Sequence, residues 1–408
     1  MPKKKVASAG TKKSPHPTDK KTGKTAKKRL VKKTATKASK PTKPKKESWP
    51  VGTVGSVLMA KDSRLELEKQ TPAWLKKLRD AEKHCFNRLC DERYFAEQVL
   101  REKRDELMAL PFVNGVHVGY RRRNNEKISY PLEICIRIHV DQKYENSLDG
   151  RITSPLERTI GGVPVDVFSR SYKVMAATLA SSALSPSTQQ FNPLRGGIGI
   201  VNVNAPGNWG TLGLPVLRNG SHVLLTNAHV ARSNAKNFPQ DILHPPVVGG
   251  AVVGQLDSDT ETVIVRDQFM DAAVITLKNA FAVTRLYGPD DGFTNLPLRI
   301  GMARTGQDVF MVGAASGLGG GLGRIQSIQG TVDVTGFATT MKGQILATPT
   351  SSMPMLTFGD SGAVLLAFAD SSDLALDIVG LVHAKGDDGT LVAAPIQKVR
   401  ERFGFTLF

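Results

Sequence analysis

The chain has 408 residues, of which 40% are hydrophobic, and a formal net charge of +18. This length allows two or three domains with a real core. The chain lacks the run of about 18 consecutive apolar residues that a membrane span needs, and its basic start lacks the apolar stretch of a secretory signal.

The positive charge is concentrated at the start of the chain. Up to Trp49 there are 17 lysines and one arginine against Asp19 and Glu47, so this stretch carries +16 of the total +18. Its Lys, Ala, Thr, Ser and Pro bury too little apolar surface to offset chain entropy, which predicts a disordered tail over residues 1–50. The tail resembles the lysine-rich tails of histone-like proteins. It favours binding of nucleic acid or another polyanion through phosphate contacts, and a tail that serves only solubility or docking is the alternative.

Residues 51–182 have the composition of a small α+β domain. Apolar residues at helical spacing after Pro72 predict a helix that ends near Leu110, because Pro111 follows. Three alternating segments then predict strands. His139 falls on the polar side of its strand and is expected to be exposed to solvent. No residue pattern in this domain indicates a catalytic site.

The three cysteines all lie in this first half of the chain. Cys85, Cys90 and Cys135 form neither a disulfide framework nor a Cys-x-x-Cys metal motif. An odd number without a framework favours a reducing compartment and therefore a cytoplasmic location. Buried thiols are the preferred interpretation, and a metal site is the weaker one.

A Ser-, Pro- and Gln-containing linker is predicted at residues 183–193. From residue 194 to residue 408 short strands recur between glycine-rich turns, which indicates an all-β barrel or sandwich. The glycine-rich stretch Gly313–Gly323 lacks the Gly-Lys-Ser/Thr of a phosphate-binding loop and is interpreted as a turn between strands.

Three short motifs in this half carry groups for nucleophilic catalysis. Gly359-Asp360-Ser361-Gly362 places a serine in a glycine-bounded turn before an apolar strand, where its hydroxyl can be presented on a rigid backbone. His229 follows an apolar strand, and Asp271 precedes another. A serine needs a base, and the base needs an orienting acid. The chain order His229, Asp271, Ser361 is that of the chymotrypsin-type triad.

On these motifs the chain resembles trypsin-like serine proteases of the chymotrypsin fold, in particular the intracellular bacterial type. The matching segments are Thr226-Asn227-Ala228-His229, Asp271-Ala272-Ala273 and Gly359-Asp360-Ser361-Gly362, within about the last half of the chain. The resemblance implies a mainly β fold with two antiparallel β-barrels over residues 194–408, preceded by the small α+β domain and the basic tail. It places His229 and Asp271 on the first barrel and Ser361 on the second.

The roles follow from chemical need. His229 would accept the proton of Ser361, and Asp271 would hold the imidazole in its working tautomer. The N–H groups of Gly359 and Ser361 would form the oxyanion hole. The resemblance also implies that Met355, six residues before the serine, lies at the base of an apolar substrate pocket. His383 belongs to the strand that resembles the one pairing with substrate backbone; it would bond Asp271, line the pocket or be merely structural.

The segment Arg158-Thr159-Ile160-Gly161-Gly162 resembles the activation site of trypsinogens, where a new terminal amine pairs with the acid before the nucleophile, here Asp360. The preferred interpretation is a turn leading into the strand at Val163.

The sequence thus predicts a serine endopeptidase that acts on protein or peptide substrates, needs no cofactor or metal, and is localised or triggered by nucleic acid through residues 1–50. The alternatives are an inactive trypsin-like binding module and a nucleic-acid scaffold. The sequence leaves the oligomeric state open.

Overall fold

The computed structural model describes most of the chain after residue 79. The predicted tail at 1–50 and the first part of the linker, 183–188, lie outside the described residues. The described residues are 80–123, 127–128, 132–141, 156–174, 177–178, 189–233, 240–247, 249–258, 260, 270–278, 281–287, 296–317, 321–337, 340–350, 355–369 and 375–408.

The first part of the described chain is an α+β layer. The helix α1 ends two residues before the predicted Leu110, and its apolar side packs on β1 and β4. Strands β1 and β4 are antiparallel, and β4 and β6 are parallel. Its elements are α1 (Asp80–Met108), β1 (Val113–Tyr120), β2 (Arg122–Arg123), β3 (Lys127–Ile128), β4 (Ile134–Val140), β5 (Thr159–Ile160), β6 (Val163–Ser169), β7 (Tyr172–Val174) and β8 (Ala177–Thr178).

The next part forms a first antiparallel barrel. Its strand order runs β25-β12-β13-β16-β15-β14-β10-β11-β8. Only Leu212 and Gly213 separate β11 from β12, which stand near opposite ends of that order, so the sheet curls round and brings these two strands close together. Its elements are β9 (Leu194–Gly196), β10 (Gly199–Asn202), β11 (Asn208–Thr211), β12 (Leu214–Arg218), β13 (Ser221–Thr226), α2 (Ala228–Ala231), β14 (Asp241–His244), β15 (Ala251–Leu256), β16 (Ala273–Leu277) and β17 (Val283–Tyr287).

The last part forms a second antiparallel barrel. Strands β19, β22, β23, β24, β21 and β20 are hydrogen-bonded in that order, and β20 pairs back with β19, which closes the ring. The two barrels confirm the predicted mainly β, chymotrypsin-like fold. The elements are β18 (Leu298–Ile300), β19 (Asp308–Met311), β20 (Gly323–Val332), β21 (Met341–Pro349), β22 (Val364–Phe368), β23 (Leu376–Gly386), β24 (Leu391–Pro395), α3 (Ile396–Phe403) and β25 (Phe405–Thr406).

The α+β layer is continuous with the second barrel. Strand β1 pairs with β20 through Gly115 and Val332, and β7 pairs with β23. Hydrogen-bonded strands therefore cross the boundary between the predicted domains at 51–182 and 194–408, and that division stays a prediction.

A buried polar cluster lies in this layer, and it corrects one prediction. His139 is fully buried rather than exposed; its Nε2 is 2.8 Å from Nδ1 of His117, and its Nδ1 bonds the hydroxyl of Tyr172. The alternation of apolar and polar residues in β4 gave a wrong prediction because both faces of this strand are covered. On the polar face, the guanidinium carbon of Arg137 lies 3.9 Å from the centre of the Phe168 ring. Burial, and then the neighbouring positive charges, hold the pKa of both histidines well below the usual value.

The buried thiol prediction is confirmed for Cys135. Its Sγ lies 3.5 Å from the carbonyl oxygen of Gly119, and burial raises the pKa of the thiol to about 12.

Among the described residues, none of the helices combines the length and the apolar character that a membrane span needs.

Candidate active site

His229 and Asp271 are joined by direct hydrogen bonds. Strands β13 and β16 are neighbours, with Thr226 opposite Ala273, so the turn after one strand meets the start of the other. Asp271 accepts a bond from the backbone N–H of His229 at 3.1 Å through Oδ1, and its Oδ2 bonds Nδ1 of the imidazole. Asn227 fixes the same turn by donating to the carbonyl oxygen of Asp271 at 2.6 Å.

These contacts determine which nitrogen of His229 is available. Because Nδ1 faces the carboxylate, Nε2 points away from it, and within the described residues Nε2 is buried without a hydrogen-bond partner. Burial alone would raise the pKa of Asp271, but the charge and hydrogen bonds of His229 outweigh it and lower that pKa. The pair therefore presents an imidazole whose free nitrogen can accept a proton.

Ser361 lies in a tight turn that only glycine can flank. Gly359 and Gly362 have φ angles of 102° and 95°, values that other residues rarely adopt. A Cβ at Gly359 would lie 2.4 Å from Cη2 of Trp209, and one at Gly362 would lie 2.2 Å from the carbonyl oxygen of Thr211. Both positions exclude a side chain on conformation and on space.

Thr211 on β11 fastens this turn to the first barrel. Its backbone N–H donates to the carbonyl oxygen of Ser361 at 2.7 Å, and its hydroxyl donates to the carbonyl oxygen of Gly359 at 2.8 Å. The same hydroxyl accepts the N–H of Ala314 at 2.9 Å, and the hydroxyl of Thr226 donates to the Thr211 carbonyl at 2.7 Å. The sequence around Thr211 carries no motif, so sequence reasoning missed it.

Two N–H groups of the serine turn have no hydrogen-bond acceptor among the described residues. In the described part of the chain, the N–H of Gly359 and that of Ser361 make no hydrogen bond, although both residues are buried. Buried N–H groups without a partner are rare in folded proteins. Two of them in one turn can bind an oxygen that carries negative charge.

The Ser361 hydroxyl is not bonded to His229. It is fully buried and donates to the carbonyl oxygen of His383 at 3.3 Å. The serine turn packs against the end of β13, since a Cβ at Gly362 would lie 2.4 Å from the hydroxyl of Thr226, three residues before His229. The structure joins His229 and Asp271 by hydrogen bonds, and the place of Ser361 in a triad with them stays a prediction.

His383 lies beside the site but does not bond Asp271 directly. Its Nε2 is 2.9 Å from Oε1 of Gln344. The centre of the Phe337 ring is 6.0 Å from that of His383 and 5.9 Å from that of His229. Burial lowers the pKa of His383 to about 4, although Asp271 acts in the opposite direction. Gln344 on β21 and Phe337 in the connection before that strand were not identified from the sequence.

Met355 is fully buried in the core of the second barrel. It packs with Leu356 and Val379, and a Cβ at Gly323 would collide with its sulfur. The structure therefore gives Met355 an apolar setting, and its role at the base of a substrate pocket stays a prediction.

Asp360 is held by backbone donors. Its carboxylate accepts N–H groups from Ala315 at 3.1 Å, Ser316 at 2.9 Å and Thr357 at 2.7 Å. Burial nevertheless raises its pKa. A trypsinogen-like activation would bring the terminal amine of Ile160 to this carboxylate. Ile160 instead lies in β5 opposite Val163, as the turn interpretation predicts.

Within the described residues no group of three or more His, Cys, Asp or Glu could hold a metal ion.

No protein-family model matches this chain, and no curated protein matches it. Solved structures are similar to about half of it, and three of them are described here. A glutamic acid specific serine protease that uses a histidine triad in substrate binding is 16% identical over 53% of this chain and 100% of that chain, with a TM-score of 0.40. The α-lytic protease homologue N4 is 19% identical over 53% and 99%, with a TM-score of 0.39. The chymotrypsin of Cellulomonas bogoriensis is 18% identical over 52% and 97%, with a TM-score of 0.36.

Proposed function

We propose that this chain is a serine endopeptidase that hydrolyses peptide bonds with Ser361 as nucleophile, His229 as general base and Asp271 as orienting acid. The observation that carries the proposal is the double engagement of Asp271 with the Nδ1 and the backbone N–H of His229. This engagement leaves Nε2, the nitrogen that would take the serine proton, without a partner among the described residues.

The proposed mechanism assigns one step to each group. A rotation of the Ser361 side chain moves its hydroxyl from the His383 carbonyl towards His229, which takes the proton as the oxygen attacks the substrate carbonyl. The two unpaired N–H groups of Gly359 and Ser361 then stabilise the oxyanion. His229 delivers the proton to the leaving amine, and water completes the hydrolysis.

Cleavage of fluorogenic peptides by the purified full chain tests this proposal. Ser361→Ala should abolish cleavage, while Ser327→Ala, which changes a buried serine of the second barrel, should retain it. Equal activity in the wild type and in Ser361→Ala would contradict the assignment.

A peptide library varied at the residue before the cut bond tests the apolar pocket predicted from Met355. A strong preference for arginine at that residue would contradict an apolar pocket.

A second proposal concerns residues 1–50, with the net charge of +16 up to Trp49 as its support. We propose that this segment binds nucleic acid or another polyanion, which would localise or trigger the protease in a reducing, cytoplasmic setting. Binding should weaken steeply with added salt and disappear when residues 1–50 are removed. Binding that survives the deletion, or that ignores salt, would refute it. If Ser361 proves unreactive, the chain is instead a binding module that does not cleave peptides.

A further inference from the structure

A line of hydrogen bonds crosses the polar side of β1 and β4, away from the candidate active site. His117 lies on β1 and His139 on β4, and both rings are buried, with Nδ1 of His117 2.8 Å from Nε2 of His139. The hydroxyl of Tyr172 on β7 bonds Nδ1 of His139. The three side chains therefore form one line that runs from β7 to β1.

The hydrogen of Tyr172 determines where every other hydrogen of this line lies. Burial raises the pKa of the Tyr172 hydroxyl to about 12, so the hydroxyl keeps its hydrogen, and Arg170, which bonds the same oxygen, can only donate. Tyr172 therefore donates to Nδ1 of His139. Both histidines are neutral, because burial holds their pKa values well below the usual one, and each carries a single N–H. His139 thus donates through Nε2 to Nδ1 of His117, and His117 carries its own hydrogen on Nε2.

The last N–H of this line has no acceptor among the described residues. His117 is 1% exposed, and its Nε2 is buried without a hydrogen-bond partner. Buried donors without an acceptor are costly and rare in folded proteins. A donor of this kind indicates a ligand that accepts a hydrogen bond, whereas a metal cation would need a bare nitrogen in its place.

Nε2 of His117 faces a point that the side chain of Arg137 also borders. Arg137 is 1% exposed and lies on β4 directly opposite His117. Gly119 lies two residues after His117 on the same face of β1. A Cβ at Gly119 would be 3.3 Å from Nε2 of His117 and 3.0 Å from Cδ of Arg137. The two groups therefore converge above a residue that has no side chain to separate them.

The charges around this point favour an anion over water as the acceptor. Three guanidinium groups lower the pKa of both histidines, those of Arg122, Arg137 and Arg170. Among the described residues two carboxylates contact them: Asp166 lies 3.4 Å from Nε of Arg137, and Asp388 bonds Arg170. Burial, and then repulsion from the other two arginines, lowers the pKa of Arg137 to about 10, and Asp166 offsets this only in part. One positive charge is therefore in excess at a buried position, which is unfavourable without a partner.

We propose that Nε2 of His117 and the guanidinium of Arg137 bind one monovalent inorganic anion, chloride in ordinary salt solutions, above Gly119. The anion accepts the last hydrogen of the line and balances the excess charge, whereas a divalent oxyanion would leave a negative charge in excess. The site lies where the α+β layer meets the second barrel, since β1 pairs with β20 and Tyr172 of β7 pairs with Gly386 of β23. Bound chloride should therefore stabilise this junction, independently of any peptidase activity.

Urea unfolding of the full chain in sodium chloride and in sodium gluconate of equal ionic strength tests the proposal, because gluconate is too large for a buried site. Above the Kd, each tenfold rise in chloride should raise the ratio of folded to unfolded chain about tenfold relative to gluconate. His117→Asn keeps an acceptor for His139 but places no donor at the Nε2 position, so it should lose this dependence. His222→Asn, at an exposed histidine of the first barrel, should retain it. The lysines of residues 1–50 are present in every variant, so their contribution cancels. Equal chloride dependence in the wild type and in His117→Asn, or none in the wild type, overturns the proposal.

Bromide provides a second measurement that does not depend on the folding of a variant. Crystals of the wild-type full chain soaked in sodium bromide should show an anomalous peak between Nε2 of His117 and the guanidinium of Arg137. Gly119→Ala, whose methyl group would crowd this point, should remove the peak. Ordered water there without an anomalous signal overturns the proposal. A peak in the crystal without a chloride effect in solution would mean an adventitious ion only, and would overturn it as well.

Discussion

The hydroxyl of Thr211 is the most direct place to test how the serine turn is held. It donates to the Gly359 carbonyl at 2.8 Å and accepts the Ala314 N–H at 2.9 Å. Thr211→Val keeps the shape of the side chain but removes both bonds. A buried polar group left without a partner costs about 1 to 3 kcal/mol, so the loss of two bonds should lower the free energy of unfolding by about 2 to 4 kcal/mol.

The same substitution should also impair catalysis. Freeing the Gly359 carbonyl loosens the backbone at Gly359, and the N–H of this same residue, on the preceding peptide, is one of the two proposed oxyanion donors. Loss of one such donor costs about a hundredfold in kcat, so a misplaced one should cost roughly 10- to 100-fold, with KM nearly unchanged. Thr211→Ser retains the hydroxyl and should keep kcat within about threefold of the wild type.

Urea unfolding and steady-state peptide cleavage measure the two effects. Thr226→Val is a matched control, because its hydroxyl donates to the Thr211 carbonyl without touching Gly359. It should lower stability by about 1 to 2 kcal/mol with little change in kcat. Equal kcat values for Thr211→Val and Thr211→Ser would refute the positioning role even if the stability of the valine variant falls.

Three further predictions address the turn, the acid and the buried histidines. Gly359→Ala forces a Cβ to within 2.4 Å of the Trp209 ring, so soluble yield and fluorophosphonate labelling should both fall; unchanged labelling would refute the tight turn. Asp271→Asn should lower kcat by about 10³- to 10⁴-fold by favouring the wrong imidazole tautomer, and a loss under tenfold in a kinetic assay would contradict its role. His117 and His139 have pKa values well below the usual one in the folded chain. Below about pH 6.5 the unfolded chain therefore binds more protons than the folded chain. As the pH is lowered through this range, the free energy of unfolding should fall by up to about 1.4 kcal/mol per pH unit per histidine. Urea unfolding at several pH values checks this, and the slope should flatten in the double variant His117→Gln, His139→Gln.

The sequence predicted the parts of this protein that are encoded locally. The spacing of short strands and glycine turns predicted an all-β barrel or sandwich, and the motif resemblance narrowed this prediction to two barrels. The helix ends at Met108, close to the predicted end near Leu110. The resemblance of the strand-end motifs implied that His229 and Asp271 lie on the first barrel, and in the structure each flanks a strand of the same sheet. The bond between them needs only β13 and β16 to pair, which the strand order of an antiparallel barrel provides.

What the sequence could not predict depends on distant pairings. His139 was expected to be exposed because its strand alternates, but Tyr172 and Phe168 cover the polar face. Thr211 acts through contacts with residues more than 100 positions away. The pairing of β7 with β23 joins residues more than 200 positions apart, and no local pattern specifies a partner at that separation.

Site mapping of a fluorophosphonate adduct on the intact chain tests the central claim most directly. After incubation of the full chain with the probe, peptide mass spectrometry should find one phosphonyl group on Ser361, and His229→Ala should remove it. Absence of the adduct at every stage of incubation, or an adduct that persists undiminished in His229→Ala, would show that the imidazole does not activate this serine.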